Sequence, residues 1–218
     1  MRLIRSIYIP SMGELKQAYV DGWSLFVASA SSGLQASTNV FVLGLVSSRA
    51  QVGFYDAADR VKGTAIAPLS AIASAYFPFY RLMAADRPKA KRLLLYLAAV
   101  ITLAMTICSM ILYFLAPSNV RLLMRDQYDD AIIVLQLLSP VPVIYGMNSL
   151  LGSMAMVNLG LDKQFTFITV SSVVLSVCMI VGLGSVYGAI GAAVAMIITE
   201  TLVMLAFAWV LYRRADWT

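Results

Sequence analysis

The sequence has no histidine, only two cysteines and few charged residues. Without histidine, a Ser-His or Cys-His catalytic pair cannot form. Cys108 and Cys178 stand singly inside apolar runs, so neither a structural disulfide nor a His/Cys metal site is expected. No metal or other cofactor is predicted. Charged residues make up 12% of the chain, about half the share that is usual in soluble domains.

Apolar residues dominate what remains. They account for 61% of the 218 residues, and the mean hydropathy is +0.82. No polar stretch is long enough to bury a core of its own, so the fold class is an all-α integral membrane protein. The net charge of +5 does not indicate a nucleic-acid partner, because the basic residues sit mainly at the ends of apolar runs, where they set membrane topology.

Six apolar runs predict a bundle of six membrane-spanning helices, since about 20 residues cross a bilayer. Ser139 to Pro142 interrupts the fourth run, and Gly184 to Gly188 marks a turn. Residues 1–16 are interpreted as a cytoplasmic lead-in or linker, 17–212 as the membrane unit and 213–218 as a cytoplasmic tail. The six predicted spans are 20–46, 52–81, 93–116, 131–157, 164–183 and 189–212.

The basic residues predict the orientation of the bundle. Eleven of the sixteen Lys and Arg residues fall on one side of these spans and three on the other. Cytoplasmic loops carry the excess of Lys and Arg. Both termini are therefore predicted to be cytoplasmic, and the protein to be a multi-pass membrane protein in contact with lipid.

A cluster of charges opens the second span. Asp56, Asp59, Arg60 and Lys62 fall within seven positions, and Asn39 of span 1 is expected at the same depth. Ionisable groups inside a membrane cost roughly 2.5 kcal/mol or more each, so they face water or one another. These five residues are predicted to line a cavity that binds an anionic substrate. The alternative is a self-neutralised cluster near the outer interface that only positions the helix.

Glu200 is the second candidate, because about eleven apolar residues flank it on each side. A carboxylate near the middle of a membrane often serves proton or cation coupling. The competing interpretation is a protonated packing residue. Asn148 and Gln136 are interpreted as hydrogen-bonding contacts between helices.

Several motifs resemble one family. Residues 52–61, read as Val-Gly-Phe-Tyr-Asp-Ala-Ala-Asp-Arg-Val, resemble the "VGxYxxAxR" signature of polysaccharide-transport flippases in the multidrug/oligosaccharidyl-lipid/polysaccharide exporter superfamily. The resemblance continues in order through four further groups: Pro68 with Phe77-Pro78, Tyr128 to Asn148, Val157 to Lys163, and Tyr187 to Ala193.

The resemblance implies a flippase that moves undecaprenyl-diphosphate-linked oligosaccharide across the bacterial inner membrane, for O-antigen, capsule or exopolysaccharide. Arg60 and Lys62 would then meet the diphosphate or acidic sugars. Family members have two six-helix lobes, and this chain resembles only the second. A second lobe is thus the expected partner, and the chain is expected to be a fragment, a truncated product or a half-transporter that pairs with another copy or chain.

Two other functions remain open. One is a multidrug or cation exporter lobe of the same superfamily, and the other is a non-catalytic membrane partner of a polysaccharide assembly complex. An enzyme is not expected, because the longest outer loop, Pro117 to Asp130, is short for a catalytic domain.

Overall fold

The computed structural model describes residues 12, 23, 35, 37–83, 87–118, 120, 129–157 and 159–213. Apart from Met12, the predicted lead-in lies outside the described residues, as do most of residues 20–36, residues 121–128 and the last five residues. The described residues are helical with short turns and include no strand. The predicted all-α membrane fold class is confirmed.

Seven α-helices with defined bounds lie within the described residues, two of them continue into π-helical stretches, and residues 116–118 and 120 are helical as well. In order they are α1 (Ser37–Val46), α2 (Arg49–Met83), α3 (Arg87–Phe114), α4 (Asp129–Leu138), α5 (Val141–Asn148) with the π-helical stretch Ser149–Met156, α6 (Asp162–Met179) with the π-helical stretch Ile180–Gly184, and α7 (Ser185–Arg213).

Among the residues that the structure describes, three helical segments are long and apolar enough to cross a membrane: Leu95–Phe114, Asp130–Met156 and Asp162–Arg213. The last has 52 residues and changes direction at Gly188, whose φ of 59° and ψ of −132° are not helical. A positive φ is readily adopted only by glycine. The count of six spans stays a prediction.

The turn before α2 is shorter than predicted. The turn between spans 1 and 2 was expected at 47–51, but only Ser47 and Ser48 are non-helical and α2 begins at Arg49. Near the N-terminal end of α7, the side chain of Gln51 accepts a hydrogen bond from the backbone N–H of Ala189 at 2.8 Å. This bond satisfies one of the free N–H groups that follow the bend at Gly188.

The largest core cluster joins α2 to its neighbours. Leu43 of α1, Tyr55 of α2, Leu135 of α4, Ile180 after α6 and Ala192 of α7 all belong to it and are almost fully buried. Small residues on α7 bring backbones close together, which is a common way for helices to associate in membranes. The region around α2 and α7 is therefore the packed centre of the described structure.

Replacing Gly191 with Ala is expected to lower the free energy of unfolding by about 1–3 kcal/mol, a typical cost of overpacking. A Cβ at this position would lie 2.1 Å from the backbone oxygen of Leu183, which cannot rotate away. Thermal unfolding in detergent measures the loss. Gly182→Ala is the control, because no atom lies within 4 Å of its added Cβ. Equal melting temperatures for the two variants would contradict this close approach.

Candidate functional site

A buried ion pair lies on the inner face of α2. Lys62 is 4% exposed, and its Nζ donates a hydrogen bond to Oδ1 of Asp59, one turn earlier. The same Nζ lies 3.2 Å from the Sδ atom of Met196 on α7, which is a weak acceptor. An ammonium group removed from water must be paired, because desolvating a lone charge is costly. The pair therefore stabilises a charge between α2 and α7.

Glu200 lies on the same side of α7, one turn beyond Met196, and is 8% exposed. Its Oε2 accepts a hydrogen bond from Asn148 Nδ2 at 2.8 Å, and its Oε1 accepts one from Gln35 Nε2 at 3.4 Å. Asn148 Nδ2 also contacts the Glu200 backbone oxygen at 3.2 Å. The positive charge of Lys62 acts favourably on the Glu200 carboxylate. Two amide donors thus hold the buried carboxylate, and the Lys62 ammonium acts on it electrostatically.

These side chains form one group, the buried polar cluster. Its remaining member, Tyr55, donates its hydroxyl to Met196 Sδ at 3.5 Å. Within the described part of the chain, Oδ1 of Asn148 is buried without a hydrogen-bond partner. No three His, Cys, Asp or Glu side chains among the described residues are placed to hold a metal ion. The members of the cluster are Gln35, Tyr55, Asp59, Lys62, Asn148, Met196 and Glu200.

The other charged pair of α2 faces outward. Arg60 Nε donates to Asp56 Oδ2 at 2.9 Å, and their side chains are 75% and 34% exposed. Successive residues turn by about 100° around a helix, so positions 60 and 62 point roughly 200° apart. The four charges of α2 are therefore two separate ion pairs, one exposed and one buried.

The structure divides the six residues predicted from the sequence into two places. Asp59, Lys62 and Glu200 lie in the buried polar cluster, whereas Asp56 and Arg60 lie on the exposed face of α2. Asn39 is 1% exposed and adjoins the cluster: its Oδ1 accepts a hydrogen bond from Ser176 of α6 at 2.8 Å, and its side chain also interacts with the Tyr55 hydroxyl. The predicted single cavity lining thus becomes one exposed pair and one buried group. The roles of these residues stay predictions.

Sequence reasoning did not single out Tyr55 and Met196, and it assigned Asn148 only a packing role. Met196 precedes Glu200 by four positions, a spacing that places both side chains on one face of a helix. That spacing was the available signal for Met196. Tyr55 lies inside the signature motif, between residues 52 and 61.

An all-α fold, three segments apolar enough to cross a membrane and charges held in paired form within the helical core define a multi-pass integral membrane protein. Residues 6–133 match the family model described as "Polysaccharide biosynthesis protein", and this match covers more than half of the sequence. The chain belongs to this polysaccharide biosynthesis protein family, which confirms the family resemblance seen in its motifs.

The chain is also similar to a candidate O-antigen transporter of Escherichia coli (strain K12). The two are 27% identical over 194 residues, which is 88% of this chain and 47% of the relative. The chain thus spans about half the length of the relative it matches. No solved structure matches the chain significantly.

Proposed function

We propose that the chain is part of an exporter that moves undecaprenyl-diphosphate-linked oligosaccharide across the bacterial inner membrane, for O-antigen, capsule or exopolysaccharide. Family membership and the similarity to a candidate O-antigen transporter support a polysaccharide substrate. The motifs that resemble flippases support the lipid-linked form of that substrate. Both termini lie in the cytoplasm in this proposal, and the chain itself has no enzymatic role.

The observation that carries the proposal is the exposure of Arg60 far inside a long helix. Arg60 follows the start of α2 at Arg49 by eleven residues, or about 17 Å along the helix axis. In the proposed exporter this part of α2 lies within the membrane, where a side chain that is 75% exposed cannot face lipid, because a charge in hydrocarbon is too costly. It faces an aqueous space, and a guanidinium there is suited to a diphosphate.

The face of α2 that carries Arg60 continues toward the other end of the helix. Gly63, Thr64 and Ala67 are exposed there, at helical spacings from Arg60. These are small or weakly polar residues rather than the large apolar residues that face lipid. This face lines the passage shared with a second six-helix lobe, which another copy or chain, or the remainder of a longer protein, supplies.

Glu200 is proposed as the residue that couples transport to an ion. Glu200 is 8% exposed, and its carboxylate accepts hydrogen bonds from the amides of Asn148 and Gln35. A buried carboxylate within a membrane often serves to take up and release a proton or small cation. Binding or release of that ion would alter the hydrogen bonds that join Glu200 to Asn148 and Gln35.

Deletion of the coding gene tests the proposal. Surface polysaccharide should disappear and lipid-linked oligosaccharide should accumulate in the inner membrane, and a plasmid copy of the wild-type gene should reverse both effects. Immunoblots of surface glycan and mass spectrometry of extracted lipids measure them. Normal surface glycan would overturn the proposal. Normal surface glycan together with increased sensitivity to cationic drugs would favour the cation-exporter function. Shortened glycan without accumulation of the lipid-linked form would favour a non-catalytic assembly partner.

A further inference from the structure

Arg60 and Lys62 are two positions apart but lie in opposite environments. The Arg60 side chain is 75% exposed, whereas the Lys62 side chain is 5% exposed. Each is paired with an aspartate about one turn earlier, Asp56 and Asp59 respectively. Helix α2 therefore contains two ion pairs in which a cation follows an aspartate by about one turn, and the pairs differ mainly in burial.

We propose that Lys62 does not contact the transported substrate and is a positioning residue. In this role Lys62 is a covalently tethered counter-cation that neutralises the carboxylates of Asp59 and Glu200 and holds α2 against α7. Of these two cations, Arg60 is the one that contacts the substrate, and that half of the inference rests on the proposed function.

The contacts of the Lys62 ammonium support this role. Its three N–H donors have two acceptors within the protein, Asp59 Oδ1 and Met196 Sδ, and Met196 belongs to α7. With 5% of the side chain exposed, no surface is left on which a diphosphate could bind. The ammonium is therefore committed to groups within the helical core.

The charge of the cluster explains why a cation is needed there. Asp59 is 17% exposed at its side chain and Glu200 is 8% exposed, so two carboxylates share a poorly solvated region. Like charges repel strongly in such an environment, and an opposite charge between them offsets this repulsion. Without Lys62, Asp59 would lose its ion-pair partner and Glu200 would lose the nearby positive charge.

Matched double substitutions at the two pairs test the inference. The variants are Lys62→Gln, Asp59→Asn with Lys62→Gln, Arg60→Gln, and Asp56→Asn with Arg60→Gln, all in the full chain. The melting temperature of the purified protein in detergent reports on folding, and surface glycan in the deletion strain reports on export. If the lysine or arginine only balances its aspartate, replacing that aspartate with asparagine should restore the variant. If the lysine or arginine contacts the substrate, the second substitution should not restore export.

Lys62→Gln is expected to lower the melting temperature by roughly 10 °C and to reduce export, because breaking a buried pair is strongly destabilising. Adding Asp59→Asn should restore the melting temperature to within a few degrees and export to within about threefold of wild type. Arg60→Gln should keep its melting temperature but reduce export at least about tenfold, and adding Asp56→Asn should not rescue it.

Two results would overturn the inference. The first is a Lys62→Gln variant with an unchanged melting temperature. The second is a double variant at positions 59 and 62 that is stable but still fails to export, which would make Lys62 a substrate contact. If Lys62→Gln does not accumulate in cells, the amount of protein in membranes is measured instead of the melting temperature. The variant with both Asp59→Asn and Lys62→Gln should then accumulate, and its failure to do so counts against the inference. If deletion of the gene does not impair export, the proposed function is wrong, but the melting temperatures still test the internal role of Lys62.

Discussion

Replacing Glu200 with Ala should lower the free energy of unfolding by about 3–5 kcal/mol, the range measured when one partner of a buried charged group is removed. The variant would leave the amides of Asn148 and Gln35 without their acceptor. It would also remove a carboxylate on which the Lys62 charge acts. Unfolding in detergent, followed by fluorescence or scattering, measures the loss.

Two control variants separate the charge from the packing. Leu202→Ala removes a side chain of similar size from the same helix, at a position that is 44% exposed, and should change stability little. Glu200→Gln keeps the size of the side chain and one acceptor oxygen, so it should be more stable than Glu200→Ala. If Glu200→Ala were as stable as Leu202→Ala, the hydrogen bonds of the buried polar cluster would not contribute to the free energy of unfolding.

Glu200→Gln also tests the proposed ion coupling. A glutamine amide cannot gain or lose a proton at neutral pH, so export should fall at least about tenfold in a variant that remains folded. Surface glycan in the deletion strain is the measurement. Normal export in a folded Glu200→Gln variant would mean that the carboxylate only joins helices.

Reversing the charge at position 60 should have the largest effect on export. Arg60→Glu places a carboxylate beside Asp56 on the exposed face of α2, where the diphosphate is proposed to bind. Repulsion of an anionic substrate should reduce surface glycan by about 100-fold, while stability changes little because the Arg60–Asp56 pair is largely exposed.

Arg49→Glu is the matched control for this charge reversal. Arg49 is an exposed arginine on the same helix, at its first residue and outside the proposed passage. Its reversal should leave export within about threefold of wild type, because surface charges far from a site act weakly at physiological salt. Arg60→Lys should retain part of the export, since lysine keeps the charge but not the forked donors of arginine. Equal losses from reversal at positions 49 and 60 would argue against a specific contact.

The sequence was sufficient to predict the fold class and the break in the fourth span. Apolar composition excludes a soluble domain, and a proline weakens a helix because it removes a backbone donor. The turn at Ser139 and Pro140 follows from this chemistry and separates α4 from α5. These features depend on local composition, which a single sequence displays directly.

The separation of the two ion pairs was harder to predict. A period of 3.6 residues places Asp56 and Arg60 on one face of α2 and Asp59 and Lys62 on another, and the spacing contains that information. In a membrane protein, however, lipid-facing and core-facing residues are both apolar, so the pattern does not mark which face is buried. Only the packing of Met196 against Lys62 decides it.

The contact between Asn148 and Glu200 depends on helix rotation in the same way. The depth of a residue in the membrane can be estimated by counting residues from a turn. The rotation of one helix relative to another cannot be obtained in this way. The π-helical stretch from Ser149 to Met156 further changes that rotation, because each of its hydrogen bonds spans five residues instead of four. No feature of its sequence, Ser-Leu-Leu-Gly-Ser-Met-Ala-Met, distinguishes it from an ordinary α-helix.

This π-helical stretch also constrains how the chain can tolerate insertions and deletions. Asn148 before it faces Glu200, while Gly152 inside it lies so close to Phe165 and Phe207 that an added Cβ would be 2.8 Å from both rings. Deleting one residue between them would rotate the two ends relative to each other by about 100°. One contact or the other would be lost. Relatives with one residue fewer here should therefore carry the amide that meets Glu200 at a neighbouring position, and an alignment gap would coincide with that shift.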